Sequence, residues 1–254
     1  MAIAEVAEEL REVARASDDA VGYFAAMYAR VTSSIATSIA QGQFEDGPRM
    51  ERFATTFADY YTRCLGPVLP APDGRSGPAR PDCWRASFDV AGRDDLLIVQ
   101  HLLIGMNAHI NYDLPQATVD VAREAGDLQS VKGDFDHINQ ILRSMTTVLL
   151  RDLDRVSHWA NEAGALGGGR LFNFSLERAR DQAWGAAQRL FAMPEADRPF
   201  ESAELDRLVS VLAYLVTEPS LPVKLLAHLA RRLEEHDPKK VTAALLGDRI
   251  RTRL

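Results

Sequence analysis

A chain of 254 residues with 46% apolar and 26% charged side chains can bury a sizeable core, which excludes a disordered or fibrous polypeptide. The formal net charge of −7, from 29 Lys/Arg against 36 Asp/Glu with the arginines scattered among acids, argues against a nucleic-acid binder, which clusters its bases. Two cysteines, an acidic amphipathic N-terminus and no apolar run approaching about 18 residues point to a reducing compartment, no signal peptide and no membrane span, so a cytoplasmic location is expected.

Apolar residues at helical spacing predict a first helix over 3–16, with Val6, Leu10 and Val13 on one stripe. Ser17, Asp18 and Asp19 supply an N-cap for a second helix over 20–41, which Gly42 ends. A third helix over 47–65 tolerates Pro48 in its first turn and carries Phe53, Phe57, Tyr60, Tyr61 and Leu65 on a face expected in the core. Tyr28, Tyr60 and Tyr61 are candidates to offer hydroxyls to a pocket. Residues 66–82 hold five prolines and three glycines and can sustain neither helix nor central strand. They predict a surface loop, either a lid over a site or a plain connector. Cys64 and Cys83 flank it and are expected as small packing residues rather than a disulfide.

Residues 84–90 lead into the stretch the chain is organised around, DDLLIVQHLLIGMNAHINYDL over 94–114. Its first turns are apolar all round, as in a helix at the centre of a bundle. Yet His101, Asn107, His109, Asn111 and Asp113 are set into it. Each such group costs about 1–3 kcal/mol if buried without a partner, so the stretch marks a working site. A short helix over 116–125 and a turn over 126–133 follow. Asp134 then N-caps a long helix running to about 163. The Gly-rich break at 164–170 lacks the GxxxxGK[ST] pattern of a phosphate loop. Helices over 175–191, 202–216, 221–236 and 238–246 complete the chain, the last ~55 residues without an evident chemical role. No strand alternation or fixed-period repeat occurs. The expected fold is all-α: a single-domain multi-helix bundle over 1–254, sheathing the central helix at about 94–114.

Spacing sorts the polar residues. His101 and His109 lie eight apart, about 12 Å along a helix, too far to share one zinc ion. His109 and Asp113 share a face one turn apart, and Asn107 and Asn111 share another. If the two long helices run antiparallel, His109 and Asp113 meet Asp134 and His137, a set of two His and two carboxylates able to hold a divalent zinc, iron or manganese ion. The structural alternatives stand beside this. Asp134 can be only a cap, His137 a surface residue and His101 a core histidine satisfied by a carbonyl or by Asp94 or Asp95. Asn107, Asn111 and Asn139 can form an amide ladder that fixes register. Arg180 and Trp184 fall one turn apart and can face the same cavity, or Glu177 can pair with Arg180 beside a core Trp184. His158, four residues after Asp154, reads as part of a solvated face. GxSxG is absent and neither Cys has a His nearby in sequence.

The segments HLLIGMNAHINYDLP (101–115) and DFDHIN (134–139) resemble the DUF5995 family, a bacterial domain of unknown function. The flanking segments GQFEDGPRMERFATTFADYY (42–61), 84–91 and FSLERARDQAW (174–184) are similar to it too, so the resemblance covers roughly 20–190. It implies that His101, Asn107, His109, Asn111 and Asp113 form the signature, joined by Asp134 and Asn139. It leaves the position of His137 variable, which favours a metal-free polar pocket over the four-ligand metal site. The expected function is a small-molecule enzyme. Its His/Asn/Asp cluster, with His109 paired to Asp113 as the base, performs acid–base chemistry on an apolar substrate, with or without a metal. Asp134, Asn139, Arg180, Trp184 and Tyr28 line or support the pocket. The alternative is a non-catalytic helical ligand-binding or interaction protein whose polar cluster specifies packing.

Overall fold

The computed structural model describes residues 2–65, 80–157 and 169–248, with the backbone alone for 169–174. Among these residues the regular structure is helical, and the one β element is an isolated bridge between Ser157 and Glu234. The helices are α1 (Ile3–Ala16), α2 (Val21–Ala40), α3 (Gly47–Leu65), α4 (Asp82–Asp89), α5 (Ile98–Ala108), α6 (Leu114–Ala125), α7 (Lys132–Asp154), α8 (Gly169–Ala192), α9 (Arg198–Thr217), α10 (Leu221–Arg231) and α11 (Pro238–Leu246). The loop expected over 66–82 lies almost wholly outside the described residues, as do His158 and nearly all of the Gly-rich break.

α5 and α6 form one rod, joined by a π-helical turn over His109–Asp113. The Leu114 N–H donates to the His109 carbonyl, five residues back. Pro115 explains the widening. It has no N–H to return to the Asn111 carbonyl and its ring crowds that oxygen, so the preceding turn takes an extra residue. The rod begins at Ile98, four residues later than expected, because partners distant in sequence set its start. Leu97 is extended, the Gln100 side chain accepts the Leu97 N–H at 2.9 Å, and Glu234 accepts the Ile98 N–H at 2.9 Å.

The other helices surround this rod. α2, α4 and α9 pack on α5, while α3 and α8 pack on α6; α1 and α11 cover the far side of α2. Gly105 marks the α2–α5 crossing, where a Cβ would lie 2.8 Å from the Phe24 ring. The burial is not complete all round: Leu103 is 37% exposed. α4 is a helix where a lead-in was expected, and α7 stops at Asp154 instead of about 163. Cys64 and Cys83 are both buried free thiols, and burial pushes the Cys64 thiol up to about 12. The C-terminal residues do not simply complete the bundle, because α10 buries a single residue, Arg231. No single described helix is long and apolar enough to cross a membrane.

Candidate functional site

The π turn places His109 and Asp113 on one face, both almost wholly buried. His109 Nδ1 lies 2.9 Å from Asp113 Oδ2. α4 supplies the third member. The Trp84 indole N–H donates to both carboxyl oxygens of Asp113, at 3.1 and 2.9 Å. Aromatic rings from α2 and α3 close the shell. Phe57 stacks on the His109 ring at 3.6 Å between centroids and 9° between planes, and Tyr28 meets it edge-on at 4.4 Å. Phe24 and Tyr61 pack behind. His109 Nε2 is buried and has no hydrogen-bond partner among the described residues.

Burial pushes the His109 pKa well below its ordinary value. Burial also pushes the Asp113 carboxyl well up, opposed by the Trp84 N–H. Both directions disfavour a buried charge. In the neutral pair one proton lies between Nδ1 and Oδ2 and Nε2 carries the other. Loss of a single proton leaves a carboxylate that accepts from Trp84 and from the Nδ1–H, and exposes the Nε2 lone pair. The same heavy-atom geometry therefore serves as acid or as base.

His109 forms part of the wall of an apolar cavity of about 90 Å³ between α2, α3, α7 and α8. Tyr28, Phe57, Met27, Met50 and Met106 are among its lining residues, and among the described residues Arg180 is the one charged side chain there. Arg180 is 3% exposed. Its Nε donates to Asn139 Oδ1 and its Nη2 to the Phe135 carbonyl, both at 2.6 Å, and the guanidinium sits 4.3 Å over the Phe135 ring. No carboxylate among the described residues forms an ion pair with it, and burial lowers its pKa to about 10.

The remaining expected residues are dispersed. His101 lies apart from the cavity, with Nε2 3.2 Å from the Arg93 carbonyl rather than beside Asp94 or Asp95, and burial lowers its pKa to about 4. Asn111 donates to Asn107 Oδ1 at 2.9 Å, and Asn107 donates to the Val209 carbonyl at 2.8 Å, tying the rod to α9. Asn139 does not join that ladder but holds Arg180. Trp184 packs on Phe135 outside the cavity wall, and Glu177 pairs with Arg143, not Arg180.

The proposed metal quartet is not assembled. Asp134 accepts from the backbone N–H of Glu45 and Asp46 and from Arg49 Nη2 at 2.9 Å, so it fixes the start of α3 instead of capping α7. His137 packs edge-on against Phe44. Among the described residues no three metal-ligating side chains converge. The sequence reading missed Trp84 as the donor to Asp113 and Phe57 as the ring on His109. A buried Trp needs an acceptor for its N–H, which was the available signal, but its partner lies 29 residues away.

The model of DUF5995, a family of unknown function, matches residues 3–219. The chain therefore belongs to that family, and the match extends beyond the 20–190 expected from the motifs. No curated protein and no solved structure matches it.

Proposed function

We propose that this DUF5995 protein is a small-molecule enzyme in which His109, positioned by Asp113 and Trp84, moves a proton to or from a substrate held in the apolar cavity. One observation carries this reading: an imidazole fixed through Nδ1, with an unpartnered Nε2, at the wall of a cavity. An unpaired buried nitrogen costs about 1–3 kcal/mol. Among the described residues His137 Nε2 is unpartnered too, but of the two only His109 is also fixed by a carboxylate and lines the apolar cavity. Burial keeps the imidazole uncharged, so in the neutral pair Nε2–H is the acid, and the base form arises when the pair loses one proton.

The lining selects the substrate class. A volume of about 90 Å³ is below the ~150 Å³ of a cavity that takes benzene, so the substrate is small, or Met27, Met50 and Met106 repack around it. Arg180 favours a carboxylate or carbonyl oxygen on an otherwise apolar body.

The test is a thermal-shift screen of small apolar acids, ketones and esters, followed by NMR of each binder in D2O. Binders that stabilise the wild type, lose that effect in the cavity-filling Ala54→Phe, and exchange a C–H or hydrolyse only when His109 is present support the proposal. Binders that remain chemically unchanged, or that turn over equally in His109→Gln, overturn catalysis and leave a ligand-binding protein.

A further inference from the structure

α9 and α10 leave a broad apolar surface uncovered. On α9, Leu208, Val211, Leu212 and Leu215 are 47–60% exposed at the i, i+3, i+4, i+7 spacing of a single stripe, while Val209 and Ala213 on the adjoining face are buried. On α10, Leu226 and Leu229 are 66% and 58% exposed. Between Phe200 and Leu233, twelve large apolar side chains are each at least 47% exposed. At the usual area of such side chains they sum, over the two helices, to on the order of 1,000 Å² of exposed apolar surface. One partner's share of a standard stable interface is about 800 Å².

By sequence, the chain outside the described residues offers few large apolar side chains to set against this area. Residues 66–79, 158–168 and 249–254 each bring only two large apolar side chains: Val68 and Leu69, Trp159 and Leu166, Ile250 and Leu254. The charges bordering the surface name the occupant. Leaving out the buried Arg231 and Glu234, residues 198–236 carry five carboxylates, at 201, 204, 206, 218 and 235, against four Arg/Lys, at 198, 207, 224 and 232. Several are already paired on the protomer: Arg207 with Glu204, Lys224 with Glu218, and Arg189 with Glu201. A helix lying on an anionic membrane needs an excess of bases on its polar face, and this border has none. The axis also bends by 65° between residues 195–217 and α10, against a straight span. A near-neutral border of both signs around an apolar centre is self-complementary, as a two-fold axis requires.

We propose that α9 and α10 are a homodimer interface, in which the helix pair of one copy packs against the same pair of a second copy. The test is light scattering and sedimentation velocity on the full chain. The expected mass is twice the 28.1 kDa of the protomer. Leu212→Glu combined with Leu226→Glu should return it to 28.1 kDa with an unchanged circular dichroism spectrum, because both side chains face solvent in the protomer. A wild-type mass of one protomer at up to about 100 µM overturns the proposal, as does a dimer that survives both substitutions. Binding of the wild type to phosphatidylcholine/phosphatidylglycerol vesicles as single protomers overturns it too, since the surface would then dock on lipid.

Discussion

His109 and Asp134 are both buried polar side chains in the middle of the molecule, and the fold treats them differently. Asp134 is satisfied from three sides, by two backbone N–H groups of the segment entering α3 and by Arg49. Its environment is complete without any other molecule. His109 is held as firmly, by Asp113 through Nδ1 and by Phe57 across its ring, yet among the described residues Nε2 has no partner, beside a cavity. His101 and Asn107 fall on the Asp134 side of this division, since each ends on a backbone carbonyl. Buried polarity thus does not distinguish function from packing. The distinction is whether a fixed polar atom remains unused where a ligand can reach it.

The comparison can be broken by mutation. The largest effect is expected for Asp134→Ala, which leaves Arg49 only the weaker pairing with Asp46 at 3.8 Å and orphans two N–H groups; a loss of about 3–5 kcal/mol in urea denaturation is expected. Less than about 1 kcal/mol would show that α3 does not depend on this anchor. Asp113→Ala should cost about 1–3 kcal/mol for each donor it orphans, at Trp84 and His109, and abolish ligand response as well. The sharper contrast comes from His109→Phe combined with Asp113→Asn. Stacking on Phe57 and an acceptor for Trp84 are retained while the new buried amide NH2 lacks an acceptor, so a cost of only about 1–3 kcal/mol is expected while all cavity chemistry is lost. A collapse in melting temperature there would move His109 to the structural side.

His101 tests the division through pH. Its folded pKa near 4 lies below the ordinary 6.5, so only the unfolded state takes up the proton between those values. The contribution is intact above pH 6.5 and is lost as the pH falls toward 4. His101→Gln should flatten that decline, and NMR titration of the imidazole near 6.5 instead would contradict the buried position. The smallest effect, about 0.5–1.5 kcal/mol, is expected for Asn111→Ala, which removes one half-buried side-chain bond.

The helices were largely legible in the sequence because each follows from local periodicity and punctuation. α1, α3 and α11 begin and end where Val6/Leu10, Pro48 and Pro238 indicate, and Gly42 ends α2 with a φ of 67°. The His109–Asp113 pair was legible for the same reason, since four residues on a helix fix a shared face. The misreadings involve partners far apart in the chain. Asp134 looked like a cap of its own helix because its partner Arg49 lies 85 residues away. The α5 start depends on Glu234, 136 residues downstream. The last helices looked like bundle walls because an apolar stripe reads the same whether its own domain or a second surface covers it. The sequence by itself determined an all-α chain with a polar pair at its centre, since helix formation and side-chain facing depend on neighbours within a few residues. Only the tertiary structure decided which polar groups are satisfied, which one faces a cavity and which apolar face is left open. Hydrogen bonding and burial depend on where remote segments come to rest, and no local spacing encodes that.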